Sequence, residues 1–310
     1  MSVRRAAYRH GWYQVAFERE LTGAVCAASV GATALVVLRT PRGVRIGDAA
    51  CPHRGAHLGH GARLEAGALV CPFHGLRIAL GEPSDERLYV REYHALSVDG
   101  LVFIRMSDAL DNGFGKVIEN LQATHRLVPG FAMTVRAPGE LVIENAFDQG
   151  HFGPVHGIGI AGAFEMGPSH HGELAVEGVF QLPTSRWQRG RPGRELADVP
   201  FRARAFSPGI VVSELGGDYP YTVLTAATPA DDGGCIIRLS LALPPDAASA
   251  PPRAELQEYL LRRSRDGLEK DRMVWEHLDP ASDALETRLD GPVREFRAFC
   301  RRFTTADGAW

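Results

Sequence analysis

Two blocks inside residues 51–77, Cys51-Pro52-His53-Arg54-Gly55 and Cys71-Pro72-Phe73-His74-Gly75, decide how the chain is read. Each block pairs one thiol with one imidazole, as C-x-H in the first and C-x-x-H in the second, and residues 54–70 lie between the pairs. Two cysteines and two histidines can make a tetrahedral structural zinc centre, but zinc fingers carry a C-x₂₋₄-C knuckle and a separate H-x₃₋₅-H pair. Here every knuckle donates one ligand of each kind. Pro52 and Pro72 stiffen the knuckles, while Gly55 and Gly75 allow tight turns that aim backbone N–H groups at sulfur.

A chain of 310 residues is long enough for two domains, and 45% hydrophobic with 23% charged residues supports a sizeable core. The formal net charge of -3 comes without any run of lysine or arginine, which argues against a nucleic-acid partner. Residues 1–13 hold Arg4, Arg5 and Arg9 but lead into no apolar core of a secretory signal, and no apolar stretch of about 18 residues suggests a membrane span. Of the five cysteines, Cys26, Cys235 and Cys300 lie outside the knuckles in apolar or basic surroundings with no mutual spacing. Free buried thiols of this kind suit a reducing cytoplasm.

Short β-branched runs punctuated by Gly31, Pro41 and Gly43 predict strands over 25–39 and 43–48, and the same texture returns at 68–70, 88–93 and 100–105. An all-β domain over 1–110 follows, with the knuckles as neighbouring loops. His57 and His60, near the first knuckle, fall outside the two-pair pattern and read as surface or supporting residues. After an Asp-, Asn- and Gly-rich loop at 107–115, a second domain over 111–310 is expected. Its runs at 173–182, 201–206, 210–215, 221–226 and 236–243 read as an antiparallel sheet. The Gly-rich stretch 157–169 and the Pro/Ala connector 246–252 are expected to be mobile, the first placed to gate entry.

Within this second domain, Asp148 and His151 are spaced to share a helical face, and Gly153-Pro154 is expected to break the helix so that His156 approaches the same point. Two imidazoles beside a bend make a claw for iron. A non-haem iron site that activates dioxygen needs two histidines and one carboxylate, leaving other positions open. Over 253–278 the apolar residues Leu256, Leu260, Leu261, Leu268, Val274, Trp275 and Leu278 recur at helical intervals. Asp271 falls inside that stripe, whereas Glu258, Glu269 and Glu276 fall opposite. A buried carboxylate is normally paired or bound to metal, which makes Asp271 the candidate ligand. The alternatives are a helix cap or an ion pair with Arg272 or Arg265, with Glu269 and Glu276 as other acids.

The knuckles resemble those of Rieske [2Fe–2S] proteins, in which imidazoles replace two cysteines on one iron. The resemblance implies Cys51 and Cys71 on the first iron and His53 and His74 on the second. The opening Gly11-Trp12-Tyr13, the segment Asn145, Asp148, His151, His156 (N-x-x-D-x-x-H-x₄-H) and Asp271-Arg272-Met273-Val274-Trp275-Glu276 are together similar to the alpha subunits of Rieske non-haem iron oxygenases. What this implies is an α+β chain: a Rieske domain, then a helix-grip (START-like) catalytic domain whose sheet wraps a long C-terminal helix. His151, His156 and Asp271 are implied to hold mononuclear Fe(II), with Asn145 supporting them. Asp148 is implied to bridge to His74 of a neighbouring subunit in a homotrimer.

The resemblance further implies dioxygen as co-substrate and electrons from a ferredoxin or reductase. NAD(P)H enters only through that partner, because no G-x-G-x-x-G follows a strand and opens a helix. The 271–275 segment and the tail 290–303 resemble the branch with 3-ketosteroid 9α-hydroxylases and cholesterol 7-desaturases, implying monooxygenation of a bulky apolar or aromatic molecule. Aromatic O-demethylation and natural-product tailoring are alternatives in the same family. A Rieske electron carrier with a lipid-binding domain is the alternative from another class. Phe147, Phe152, Ile158, Ile160, Phe164 and Met166 are candidate pocket residues. One departure is Leu76-Arg77, where the family often has Trp after the second glycine, implying altered docking of the electron donor.

Overall fold

The computed structural model describes residues 10–81, 88–108, 110–183, 196–217, 219–245, 253–279 and 285–304. Tyr8 and Arg9 and the expected mobile connector at 246–252 lie outside them. The chain opens through β1 (Trp12–Phe17), β2 (Val25–Val30), β3 (Thr33–Thr40), β4 (Gly43–Asp48), β5 (Arg63–Glu65), β6 (Ala68–Val70), β7 (Arg77–Leu80), β8 (Tyr89–Val90), β9 (Glu92–Val98) and β10 (Leu101–Arg105). Among the described residues these form one sheet in the order β1-β10-β9-β4-β3-β2 and a small one in the order β5-β6-β7-β8. The small sheet carries the knuckles: the first precedes β5, and the second is the turn joining β6 to β7. Leu76 packs into its apolar core, and Arg77 opens β7, in ion-pair reach of Glu65.

The rest runs through α1 (Phe114–Thr124), β11 (Arg126–Val135), α2 (Gly139–Glu144), α3 (Gln149–His151), β12 (Gly159–Ile160), β13 (Glu165–Met166), β14 (Leu174–Pro183), β15 (Leu196–Ser207), β16 (Ile210–Leu215), β17 (Tyr221–Pro229), β18 (Cys235–Leu243), α4 (Arg253–Trp275) and α5 (Gly291–Cys300). Its sheet, β11-β18-β17-β16-β15-β14-β12, is antiparallel in every pair, and β13 also pairs with β14. Strand β18 is buried on both faces, so its sequence is nearly continuous in apolar residues rather than cleanly alternating. One face of the sheet, through Val212, Leu224 and Ala226, packs on Trp12, Phe103 and Phe114 of the first part. The other, through Val211, Ile237 and Leu239, shares a core with Leu260 and Trp275 of α4.

Hydrogen bonds lock the two parts at β1. Thr228 Oγ1 donates to the Gln14 carbonyl and Ser207 Oγ to the Trp12 carbonyl, both at 2.6 Å, and Arg238 Nε reaches Glu20 at 2.9 Å. On the opposite face α4 runs unbroken through Gly267. It comes close at Gly130, beside a bulge between Pro129 and Phe131 in β11. Two residues expected in its apolar stripe leave it: Val274, on the last turn, is 48% exposed, and Leu278, past the helix end at Trp275, is 50% exposed.

The stretch 157–169, expected as a mobile gate, is pinned instead. β12 and β13 both pair with β14, and Phe164 is buried where Gly178 leaves room for its ring. No helix of the described residues is long and apolar enough to cross a membrane.

Candidate metal centres

The knuckles are near-copies in backbone geometry. The N–H groups of Gly55 and Gly75 donate to the Cys51 and Cys71 carbonyls at 2.8 and 3.0 Å, and those of Cys51 and Cys71 donate to Ala56 and Leu76 at 2.9 Å. Gly55 (φ +71) and Gly75 (φ +67) are left-handed, which is why glycine stands at both turns. Both cysteines are buried and both histidines exposed, with ring centroids 4.7 Å apart. Burial pushes the Cys71 thiol up, but hydrogen bonds from the Phe73 N–H, the Cys51 side chain and the His74 N–H outweigh it and leave the thiol below its ordinary range. A site that favours thiolate sulfur and presents imidazoles at the surface fits a [2Fe–2S] cluster.

Four ligands on a single zinc would converge on one point about 2.0–2.3 Å from each donor atom. Among the described residues, the set of three or more possible ligand atoms that comes within 4.8 Å of one another is a different one: His151, His156 and Asp271. Local sequence builds it. Asp148 caps α3 by accepting the Gly150 N–H at 2.8 Å, and the chain then widens into a π turn over Phe152–His156, closed by Gly157 at φ +68. In an α-helix, residues five apart point about 140° away from each other; the wider turn instead brings the two imidazoles to centroids 5.1 Å apart. Gly153-Pro154 therefore widens the helix rather than breaking it.

Asp271 comes in from α4, 7% exposed, with Oδ1 3.0 Å from His156 Nε2. Its burial is what helical periodicity expects of a residue inside the apolar stripe. The other two acids stay away: Glu269 is exposed and pairs with Arg272, while Glu276 is enclosed between Arg136 and Arg272 instead of facing solvent. The His151 Nδ1–H donates to the Asp148 carbonyl at 2.6 Å, which leaves Nε2 free for a metal. Burial holds the His151 imidazole below its ordinary range, favouring the neutral, ligating form. The Asp148 carboxylate lies 3.6 Å from His151 Nδ1 and is 32% exposed. Asn145 accepts the Trp275 indole N–H at 3.3 Å, tying the end of α2 to the end of α4. His57 and His60 stack on each other at 4.5 Å beside the first knuckle.

The triad opens into a cavity of about 810 Å³ between α4 and β14–β17. Phe152 and Ile158 line it as expected; Phe164 stands behind them against Phe201, Phe147 stacks on Phe296 in the core, Ile160 packs at the core's edge, and Met166 is exposed. Sequence reasoning missed Tyr221, Tyr259 and Arg263, which also line the cavity. Their signal is the i, i+4 spacing of Tyr259 and Arg263 on the Asp271 helix.

Comparison with known proteins agrees with this architecture. Residues 11–84 match the Rieske [2Fe-2S] domain, and residues 116–304 match the 3-Ketosteroid 9alpha-hydroxylase C-terminal domain. The chain is 28% identical over 175 residues to cholesterol 7-desaturase nvd of Xenopus laevis, covering 51% of this chain and 38% of that protein. It is 33% identical over 112 residues to the Drosophila melanogaster counterpart, covering 31% and 25%. The chain thus spans well under half the length of these curated relatives. Among solved structures, dicamba monooxygenase bound to 3,6-dichlorosalicylic acid superposes with a TM-score of 0.74 at 20% identity, over 96% of this chain and 98% of that one. Pseudomonas putida CBB5 NdmB superposes at 0.68 with 19% identity, over 95% and 91%. With a Rieske domain ahead of a catalytic-domain match that covers more than half of its residues, the chain belongs to the Rieske non-haem iron oxygenases.

Proposed function

We propose that the chain is the oxygenase component of a multi-protein system that uses dioxygen, and electrons from a separate ferredoxin or reductase, to monooxygenate a bulky apolar, steroid-like molecule. Cys51, His53, Cys71 and His74 would hold the [2Fe–2S] cluster, and His151, His156 and Asp271 the mononuclear iron. The observation that carries this reading is the convergence of two imidazoles and a buried carboxylate at the wall of an apolar cavity. The donor set fits the group: an enclosed carboxylate calls for a cation, and three ligands on one side are those of an open iron site. When bound, the cluster would supply one-electron transfer and the iron dioxygen reduction at positions the protein leaves open.

The chain's own residues do the positioning. The Asp148 carbonyl fixes the tautomer of His151, and the Asn145–Trp275 hydrogen bond holds α2 against the helix that presents Asp271. Phe152, Phe180 and Phe201 pack in tilted and edge-on contacts beside the histidines and exclude water from the reacting end. This aromatic wall also favours a second reading, O-demethylation of an aryl ether or tailoring of an aromatic product. The exposed edge of the Asp148 carboxylate suits an N–H from His74 of a second copy in a homotrimer with a helix-grip catalytic domain. Free thiols at Cys26, Cys235 and Cys300 suit a cytoplasmic location.

Iron analysis and turnover test the reading. Red-brown protein with roughly three irons per chain, and oxygen-dependent product from a steroid and aryl-ether panel with reductase and reduced nicotinamide, are expected. Two irons and no product would leave an electron carrier, and a colourless zinc protein would sink the proposal.

A further inference from the structure

α4 lines the cavity from Leu256 to Asp271, and at about 1.5 Å rise per residue Arg263 stands ~12 Å, and Leu256 ~22 Å, along the helix from the Asp271 ligand. Leu256, Leu260 and Leu268 of α4 and Val199 and Val223 of the sheet supply apolar wall, while Ser264, Asp266 and Lys270 also line it between Arg263 and Asp271. Tyr221, Tyr259 and Arg263 form a polar group midway along that stretch. Tyr259 and Arg263 are one helical turn apart on the same face, and Tyr221 leads β17 opposite them. Burial pushes the Tyr221 phenol up to about 12, Tyr259 adds to this and the Arg263 cation opposes it, so the three groups sense one another and Tyr221 stays an O–H donor.

Arg263 is exposed and stands apart from two other arginines of α4. Arg272 pairs with Glu269 and Glu276, and Arg265 lies over the Phe131 ring at 4.0 Å. Among the described residues no carboxylate lies in ion-pair reach of Arg263, although Asp266 lines the same cavity one turn on. A guanidinium flanked by phenols midway along the cavity matches a planar acid group, which accepts two parallel N–H bonds from arginine.

We propose that Arg263, with Tyr221 and Tyr259, forms an anion subsite that holds the terminal carboxylate of an elongated apolar substrate, whose other end lies at His151, His156 and Asp271. The inference rests on the oxygenase reading above and names its substrate class: an apolar acid, with the carbon to be oxidised lying ~12 Å or more from the carboxylate.

The test uses iron-loaded full-length protein and two probes, the C24 steroid acid lithocholic acid and its methyl ester, with affinity read by calorimetry and iron counted on the same samples. The acid is expected to bind about tenfold tighter than the ester or better, and the gap to shrink as salt rises. Arg263→Leu should abolish the preference while leaving ester affinity within about twofold, and Arg263→Lys should restore part of it. Equal binding of acid and ester, a preference that survives Arg263→Leu, or binding of neither probe overturns the subsite. A shortfall of iron would instead overturn the oxygenase reading, whereas full iron with no acid preference sinks the subsite alone.

Discussion

At the scale of single residues, Asp148 plays two roles at once, one through its main chain and one through its side chain. Its backbone carbonyl takes the His151 Nδ1–H and its Oδ1 takes the Gly150 N–H, so the residue orients the His151 imidazole and caps a helix turn. Neither job needs negative charge; an asparagine keeps both acceptors. The charge is needed only if the exposed edge meets a histidine N–H from another copy. Asp148→Asn is therefore expected to leave iron content and both metal spectra unchanged while turnover falls by about 100-fold or more, measured as oxygen-dependent product per iron. Normal turnover would remove the bridging role. Asp271 was legible in sequence for a related reason, since an acid inside an apolar helical stripe has to be explained by a partner. Arg263 was legible only in its i, i+4 spacing from Tyr259, because Tyr221 and the cavity that give it meaning are brought to it by folding.

Elements decide how firmly those residues are held, and α4 is fastened at both its middle and its end. At Gly130 an added Cβ would run into the Leu239 carbonyl and the Leu261 side chain, so the helix sits against bare backbone. Gly130→Ala should lower stability by about 1–3 kcal/mol, visible in thermal melts, and a neutral result would mean that α4 can shift at no cost. At the C-terminal end, the Arg136 N–H, aided by the Arg272 and Arg136 side chains, holds the Glu276 carboxyl at about 2, against an ordinary 4.5. A depressed acid stabilises the fold above its unfolded value and loses that contribution as pH falls through its folded value. Wild type should therefore melt above Glu276→Gln at neutral pH, with the gap closing between about pH 4.5 and 2; a gap independent of pH would mean that the charge does not matter. Most strands could be read because their turns are marked by Gly and Pro, but β11 could not: Pro129-Gly130 looks like a break and is in fact the bulge that admits α4. α1 carried its signal in Phe114, Ile118 and Leu121, too short a stripe to stand out beside the Asp-rich loop.

On the scale of the whole molecule, one sheet separates the two candidate metal-binding regions. The knuckles belong to the small sheet and its own apolar core, and the triad to the core on the α4 side. Among the described residues no hydrogen bond, ion pair or ring contact joins them. His53 and His74 face outward, and so does one edge of Asp148. On the proposed reading these are the two halves of one electron path, and they would meet most simply in copies arranged head to tail, each knuckle against the next copy's Asp148. This geometry makes a prediction that a self-contained chain does not. A cluster-defective variant, Cys71→Ser, and an iron-defective variant, Asp271→Ala, should each be inactive alone. In oligomers assembled from equal amounts of both, an intact cluster faces an intact iron site at about one interface in four, so activity should return to about a quarter of wild type. Mixed oligomers, verified by distinct affinity tags, that stay inactive would place the electron path inside one chain and remove the reason for the ring.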